Sequence, residues 1–143
     1  MARPGDTLID PLSQRRLTFR RTTSQTSGRA VEFDLYYEPR EPRAEEHVHH
    51  RQEHQVELLA GELMACVGGR VQVLRPGDVL LLCLGDSHAV WNASPRAAHA
   101  VWHTFPALDT EACLETTWRA ASDLVERPGA LLRAPRPRSA RAR

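Results

Sequence analysis

Four of the seven histidines have spacing that could hold a metal ion. His47 and His49 form an HxH pair, His54 follows five residues on, and His88 lies far downstream in the run GDSHAVWN. On an extended strand side chains alternate sides with period two, so His47 and His49 project from one face. A third imidazole shortly after the pair and a fourth on a separate segment can complete a shell of nitrogen ligands. Such a shell offers Lewis-acid or redox chemistry at the open coordination positions. His50, beside His49, points the opposite way and reads as a solvated side chain. Glu53 and Glu57 are the rival carboxylate ligands if the register slips. His99 and His103 share parity in a later strand-like run. They are catalytic candidates as acid or base if they line a pocket, and ordinary strand histidines if they face outward.

Short strands are the elements that must position these side chains. Residues 1–14 are polar, contain two prolines and read as an irregular lead-in. RRLTFRRT and AVEFDLYYE follow. In the second, Val31, Phe33, Leu35 and Tyr37 alternate with Glu32, Asp34 and Tyr36, the period of a half-buried strand. PREPRAEE (39–46) is a charged loop bent by Pro39 and Pro42. Then come EHVHH, QVELLAG, ELMACVG, RVQVLRP, DVLLLCL, HAVWNAS and AAHAVWHTF, with Gly61, Gly68-Gly69 and Pro76-Gly77 as turns. DVLLLCL is nearly all apolar and is expected to be buried on both sides. Strands at this density argue for an all-β sandwich or small barrel over 15–106. The period changes in ALDTEACLETTWRAASDLV. Cys113, Leu114, Thr117, Trp118, Ala121 and Leu124 make an apolar stripe there, Asp109 or Thr110 can cap the start, and Pro128 follows. A C-terminal α-helix over 107–127 is expected. The tail, 128–143, holds five arginines after Gly129 and is expected to be disordered.

Composition narrows the partners. A chain of 143 residues suits one domain with a single core. Its net charge of +1 provides no field for nucleic acid or membrane, and neither is expected as a partner. The sequence has no lysine, which removes Schiff-base chemistry. No apolar run is long enough to span a bilayer and the N-terminus lacks the apolar core of a secretory signal, so a cytoplasmic location is expected. Cys66, Cys83 and Cys113 form neither a disulfide framework nor a CxxC pair and read as buried, reduced and inert.

The centre of the chain resembles the cupin superfamily. The first cupin motif runs glycine, five residues, HxH, three or four residues, glutamate, six residues, glycine. Here His47 and His49 supply the HxH, four residues lead to His54 in the glutamate place, and six more lead to Gly61. The second motif runs glycine, five residues, PxG, two residues, histidine, three residues, asparagine. Gly77, Gly85, His88 and Asn92 fit it, with Cys83 in the proline place. Glu41 stands where the leading glycine of the first motif would be. Seven of ten motif positions match, and the likeness covers roughly residues 15–105. It implies a double-stranded β-helix, the cupin jelly-roll barrel, often homodimeric, with one metal in the barrel held by His47, His49, His54 and His88. His54 could instead stand behind the ligands as a donor. If His54 and His88 point inward, so do Val56, Leu58, Val90 and Asn92, which with Trp102 would line a pocket, although apolar residues of this kind are most often plain core. Asn92 could equally support a turn.

His54 in place of the glutamate changes the chemistry that the resemblance implies. Four neutral imidazoles would leave the full charge on a divalent ion, which favours an anionic, chelating, oxygenated substrate. Imidazole suits iron, nickel, copper, zinc and, less well, manganese. With iron or copper the reading is a dioxygenase. With zinc it is an isomerase, or a cyclase of the kind that closes rings on aromatic polyketides. The other class is a non-catalytic cupin that senses a small molecule.

Overall fold

The computed structural model describes residues 1–121. Among them eleven strands and one helix follow in order. The first half comprises β1 (Thr7–Ile9), β2 (Arg16–Arg21), β3 (Val31–Tyr37), β4 (His47–Val48), β5 (Glu53–Ala60) and β6 (Leu63–Val67). Then come β7 (Arg70–Leu74), β8 (Val79–Leu82), β9 (Ser87–Trp91), β10 (Ala98–Phe105), α1 (Thr110–Thr117) and β11 (Arg119–Ala120). One sheet has seven strands in the order β11-β1-β2-β3-β10-β5-β8, the other four in the order β4-β9-β6-β7. The two antiparallel sheets form the jelly roll.

Alternation decides what each strand buries. Val31, Phe33, Leu35 and Tyr37 of β3 point inward. So do Val56 and Leu58 of β5, both fully buried. They meet Leu63, Ala65 and Val90 of the smaller sheet in one core. The β6–β7 hairpin turns on Gly68 and Gly69, whose φ values of 56° and 80° are the positive pair that a two-residue turn demands. Gly61, at φ 84°, has a different constraint: a Cβ there would lie 2.7 Å from the Ala97 carbonyl oxygen.

Four expectations need correcting. Residues 1–14 are not wholly irregular: β1 pairs with β2 and β11, and Ala2 and Leu8 are buried in the core. A three-residue strand is too short to show a period. DVLLLCL is not buried on both sides. Leu80 and Leu82 point inward while Val79 and Leu81 are more than half exposed, because β8 is the edge strand of a sheet whose outer face is uncovered. The helix is shorter than 107–127, and Asp109 takes the N-cap position without a side-chain bond. Thr116 and Thr117 turn their hydroxyls back onto the Ala112 and Cys113 carbonyls, an arrangement that weakens a helix end. Trp118 is already extended, and Arg119–Ala120 pair with β1. Finally, only Cys66 is buried; Cys83 and Cys113 are exposed. The arginine-rich tail and the end of the expected helix lie outside the described residues.

Candidate metal centre

The histidines come together where the two sheets meet. His47 on β4 sits directly across from His88 on β9, and their rings are 4.4 Å apart between centroids. His49, just past β4, is 5.0 Å from His47 and 5.4 Å from His88. One nitrogen from each of His47, His49 and His88 can be chosen so that all three lie within 4.8 Å of one another, wider than the roughly 3.4 Å between ligands of a tetrahedral ion bonded at about 2.1 Å, so the rings would draw inward on binding. A backbone hook sets the direction of His88: its Nδ1 lies 3.2 Å from the Asp86 carbonyl, which leaves Nε2 for the cluster.

His54 enters from the other sheet, at the start of β5. Its ring is 4.8 Å from His49 and 5.7 Å from His88. It stands outside the three-nitrogen group. Its Nδ1 lies 2.8 Å from the Thr104 hydroxyl of β10, and its Nε2 is buried with no hydrogen-bond partner among the described residues. An orphaned buried nitrogen costs about 1–3 kcal/mol, and a cation beside the other three imidazoles would remove that cost. The donor set therefore fits a divalent metal. Burial, followed by repulsion from His49, His88 and His47, lowers the His54 pKa to about 4. Burial and then His47 lower that of His49. His88 is lowered as well, by burial first, with the Asp86 carbonyl opposing. All three imidazoles are thus held neutral, the form that binds metal.

A cavity of about 190 Å³ opens beside the cluster. His47 and His88 reach its wall, together with Arg15, Val90, Trp102, Leu114 and Trp118. A larger groove of about 320 Å³ runs past Thr7, Arg16, Thr18 and Tyr36, away from the histidine cluster. Of the expected pocket residues, Val90 and Trp102 line the cavity, whereas Val56 and Leu58 are core. Asn92 does not line it: the fully buried amide donates to the Glu38 and Arg96 carbonyls and accepts from the Ser94 amide, pinning a turn.

His99 and His103 are not in the cavity. On β10 they fall on the opposite face from Trp102. There His99 contacts Asp34 at 2.7 Å and His103 contacts Glu32 at 3.4 Å, both acids of the outer face of β3. Glu53 and Glu57 share the outward parity of β5 and do not approach the cluster.

Arg15, Glu41 and Thr104 belong to the site although none was singled out for it. Arg15 has the inward parity of Leu17 and Phe19, a signal that was present. Glu41 takes one edge of the Arg15 guanidinium, Nε and Nη2 at 2.7 and 2.8 Å, and accepts from the Asn92 backbone N–H at 3.0 Å. Burial opposes the Arg15 charge, but the Glu41 hydrogen bond and nearby groups outweigh it and raise the pKa above the usual value. That contact across the molecule had no sequence signal.

Two antiparallel sheets closed around clustered histidines define a jelly-roll protein with a candidate metal site. A family model described as "Cupin domain" matches residues 33–104, just over half of the chain, and the chain belongs to the cupin family. Among solved structures it is similar to a predicted oxalate decarboxylase from Thermotoga maritima, at 15% identity and TM-score 0.63, over 72% of this chain and 93% of that one. KdgF from Halomonas sp. aligns at 15% identity and TM-score 0.58, over 68% and 83%. The polyketide cyclase RemF from Streptomyces resistomycificus aligns at 17% identity and TM-score 0.57, over 73% and 70%. At these identities the likeness is one of fold. No curated protein matches the sequence. Among the described residues no helix is long and apolar enough to cross a membrane.

Proposed function

We propose that this chain is a metal-dependent enzyme acting on a small oxygenated substrate, with His47, His49, His88 and His54 as ligands of one divalent ion. The observation that carries this reading is the gathering of three imidazole nitrogens within 4.8 Å beside a cavity, with the buried Nε2 of His54 unpaired next to them. When bound, the ion would supply Lewis acidity or, as iron or copper, electron transfer to a coordinated substrate. The protein supplies the rest. Phe33, Val90 and Trp102 give the substrate an apolar seat, and Leu114 and Trp118 extend that apolar wall.

Two features shape the reaction class. The cavity, at about 190 Å³, is below the 300–1,000 Å³ common for drug-sized ligands, which supports a single-ring or short-chain substrate rather than a multi-ring polyketide. Among the described residues that line it, the titratable side chains are Arg15, His47 and His88. No separate acid or base stands ready, which supports oxygenase chemistry over the proton shuttling of an isomerase or cyclase. The same feature supports the second reading, a non-catalytic sensor. We place the protein in the cytoplasm, in keeping with three free thiols. We also read it as a homodimer through the outer face of the larger sheet, where Leu59, Val79 and Leu81 are exposed.

Metal analysis of protein purified without chelator comes first. Near one equivalent is expected, and less than about a tenth, unchanged on reconstitution, would sink the metal reading. Metal-loaded protein is then incubated with small diketones and hydroxy-acids, with and without O2. Turnover that needs O2 marks an oxygenase, turnover without it an isomerase or cyclase, and tight binding alone a sensor. Light scattering reports the dimer.

A further inference from the structure

Arg15 is the one cation in the wall of an otherwise mostly apolar cavity among the described residues. It is held rigidly. Nε and Nη2 grip Glu41 at 2.7 and 2.8 Å, Nη2 also reaches the Val90 carbonyl at 3.4 Å, and the guanidinium carbon lies 4.5 Å from the Tyr37 ring centroid. One edge of the fork is therefore spent on Glu41, while Nη1 makes no hydrogen bond among the described residues. The arginine keeps 22% of its side chain exposed while its partner keeps 4%, and it lines both this cavity and a neighbouring groove of about 230 Å³ beside Ser13, Pro42 and Arg43. The free Nη1 amino group leaves two directed N–H donors, which suit a carboxylate oxygen.

The contact with Val90 also sets a spacing. Val90 follows His88 by two residues on the same face of β9, a step of about 7 Å along the strand. The arginine and the histidine cluster are thus set apart along one wall of the cavity. Phe33 and Trp102 stand in the same wall, with nearly parallel rings 6.4 Å apart.

We propose that Arg15 is the specificity-determining residue of this cavity: it takes the carboxylate of a small ligand whose other, oxygenated end faces the histidines. The ligand class is a single-ring or short-chain oxo- or hydroxycarboxylate with an apolar body. This deepens the enzyme reading above and rests on its choice of cavity, but not on metal being bound. Because Glu41 neutralises Arg15, the attraction comes from directed N–H donors more than from net charge.

The test uses the full chain and two probes of one shape, benzoate and neutral benzamide. Binding is followed by tryptophan fluorescence, since Trp102 and Trp118 line the cavity. It is measured after chelator treatment and again with zinc added. Wild type is expected to prefer benzoate by about tenfold or more in both states. The variant carrying Arg15→Met and Glu41→Gln, which removes both charges together, is expected to lose that preference while taking up zinc like wild type. Equal affinity for the two probes, binding of neither, a preference that appears only with zinc, or one that survives in the double variant would each overturn the proposal. Should the double variant not fold, the NMR signal of the wild-type Arg15 side chain decides: benzoate must shift it and benzamide must not. Failure of zinc uptake with the benzoate preference intact would end the metal reading and leave the anchor standing.

Discussion

His54 is oriented by the 2.8 Å bond between its Nδ1 and the Thr104 hydroxyl, with its ring edge-on to Trp102. Replacing Thr104 with valine keeps the shape and deletes that bond, so zinc affinity is expected to fall about 10- to 100-fold, and Thr104→Ser to restore most of it. His54→Ala should lower zinc affinity further, read by competition with a chromophoric chelator. Unchanged affinity would leave His47, His49 and His88 as the whole shell. Arg15 and Glu41 make a second residue-scale prediction. Arg15→Met alone strands a carboxylate with a 4% exposed side chain, and a loss of about 3 kcal/mol is expected in urea unfolding. The double change of Arg15→Met with Glu41→Gln should cost clearly less, because no charge is left unpaired.

Between elements, close approach decides tolerance. Gly61→Ala would place its Cβ 2.7 to 2.9 Å from Ala97 and Ala98, two of them backbone contacts, at a φ of 84°. A loss of about 2–4 kcal/mol is expected. Gly77→Ala, at φ 95° with nothing within 4 Å, should lose only about 1 kcal/mol. Thermal melts of the two variants side by side check this contrast. The same elements show what the sequence disclosed. Period-two alternation at Val31–Tyr37 and the Gly68-Gly69 turn were legible because their causes are local. The HxH parity was legible for the same reason, and so was the joining of His88 to it through motif spacing. β1 and β11 were not legible. Each is two or three residues long, and only their pairing with each other and with β2 makes them strands. Outward-facing His99 and His103 were ambiguous because parity relates residues to one another without saying which face is inside. Glu32 and Asp34 across the strand settle that in space.

At the scale of the whole molecule, the histidine cluster ties β4 and β9 of the smaller sheet to β5 of the larger. A metal there would cross-link the two layers and bind only the folded chain. At a hundredfold excess over its dissociation constant it would add about 2.7 kcal/mol. For a domain of this size that is a rise of about 5–10 °C in Tm. The metal-free protein should show the pH dependence that the imidazoles impose. His54 has a folded pKa of about 4 against 6.5 for a free histidine. Between those values the unfolded chain binds a proton that the folded chain refuses. The stability from keeping His54 neutral is therefore complete above pH 6.5 and is lost progressively as pH falls to about 4, by at most about 3 kcal/mol. His49 and His88, lowered in the same direction, add to the slope. Urea unfolding of metal-free protein at intervals from pH 7.5 to 4.5 measures it, and His54→Gln, which cannot take the proton, should flatten the curve. A wild-type profile already as flat as that of the variant would mean that His54 is solvated and free to protonate in the folded state, and the buried nitrogen that supports the metal reading would not exist.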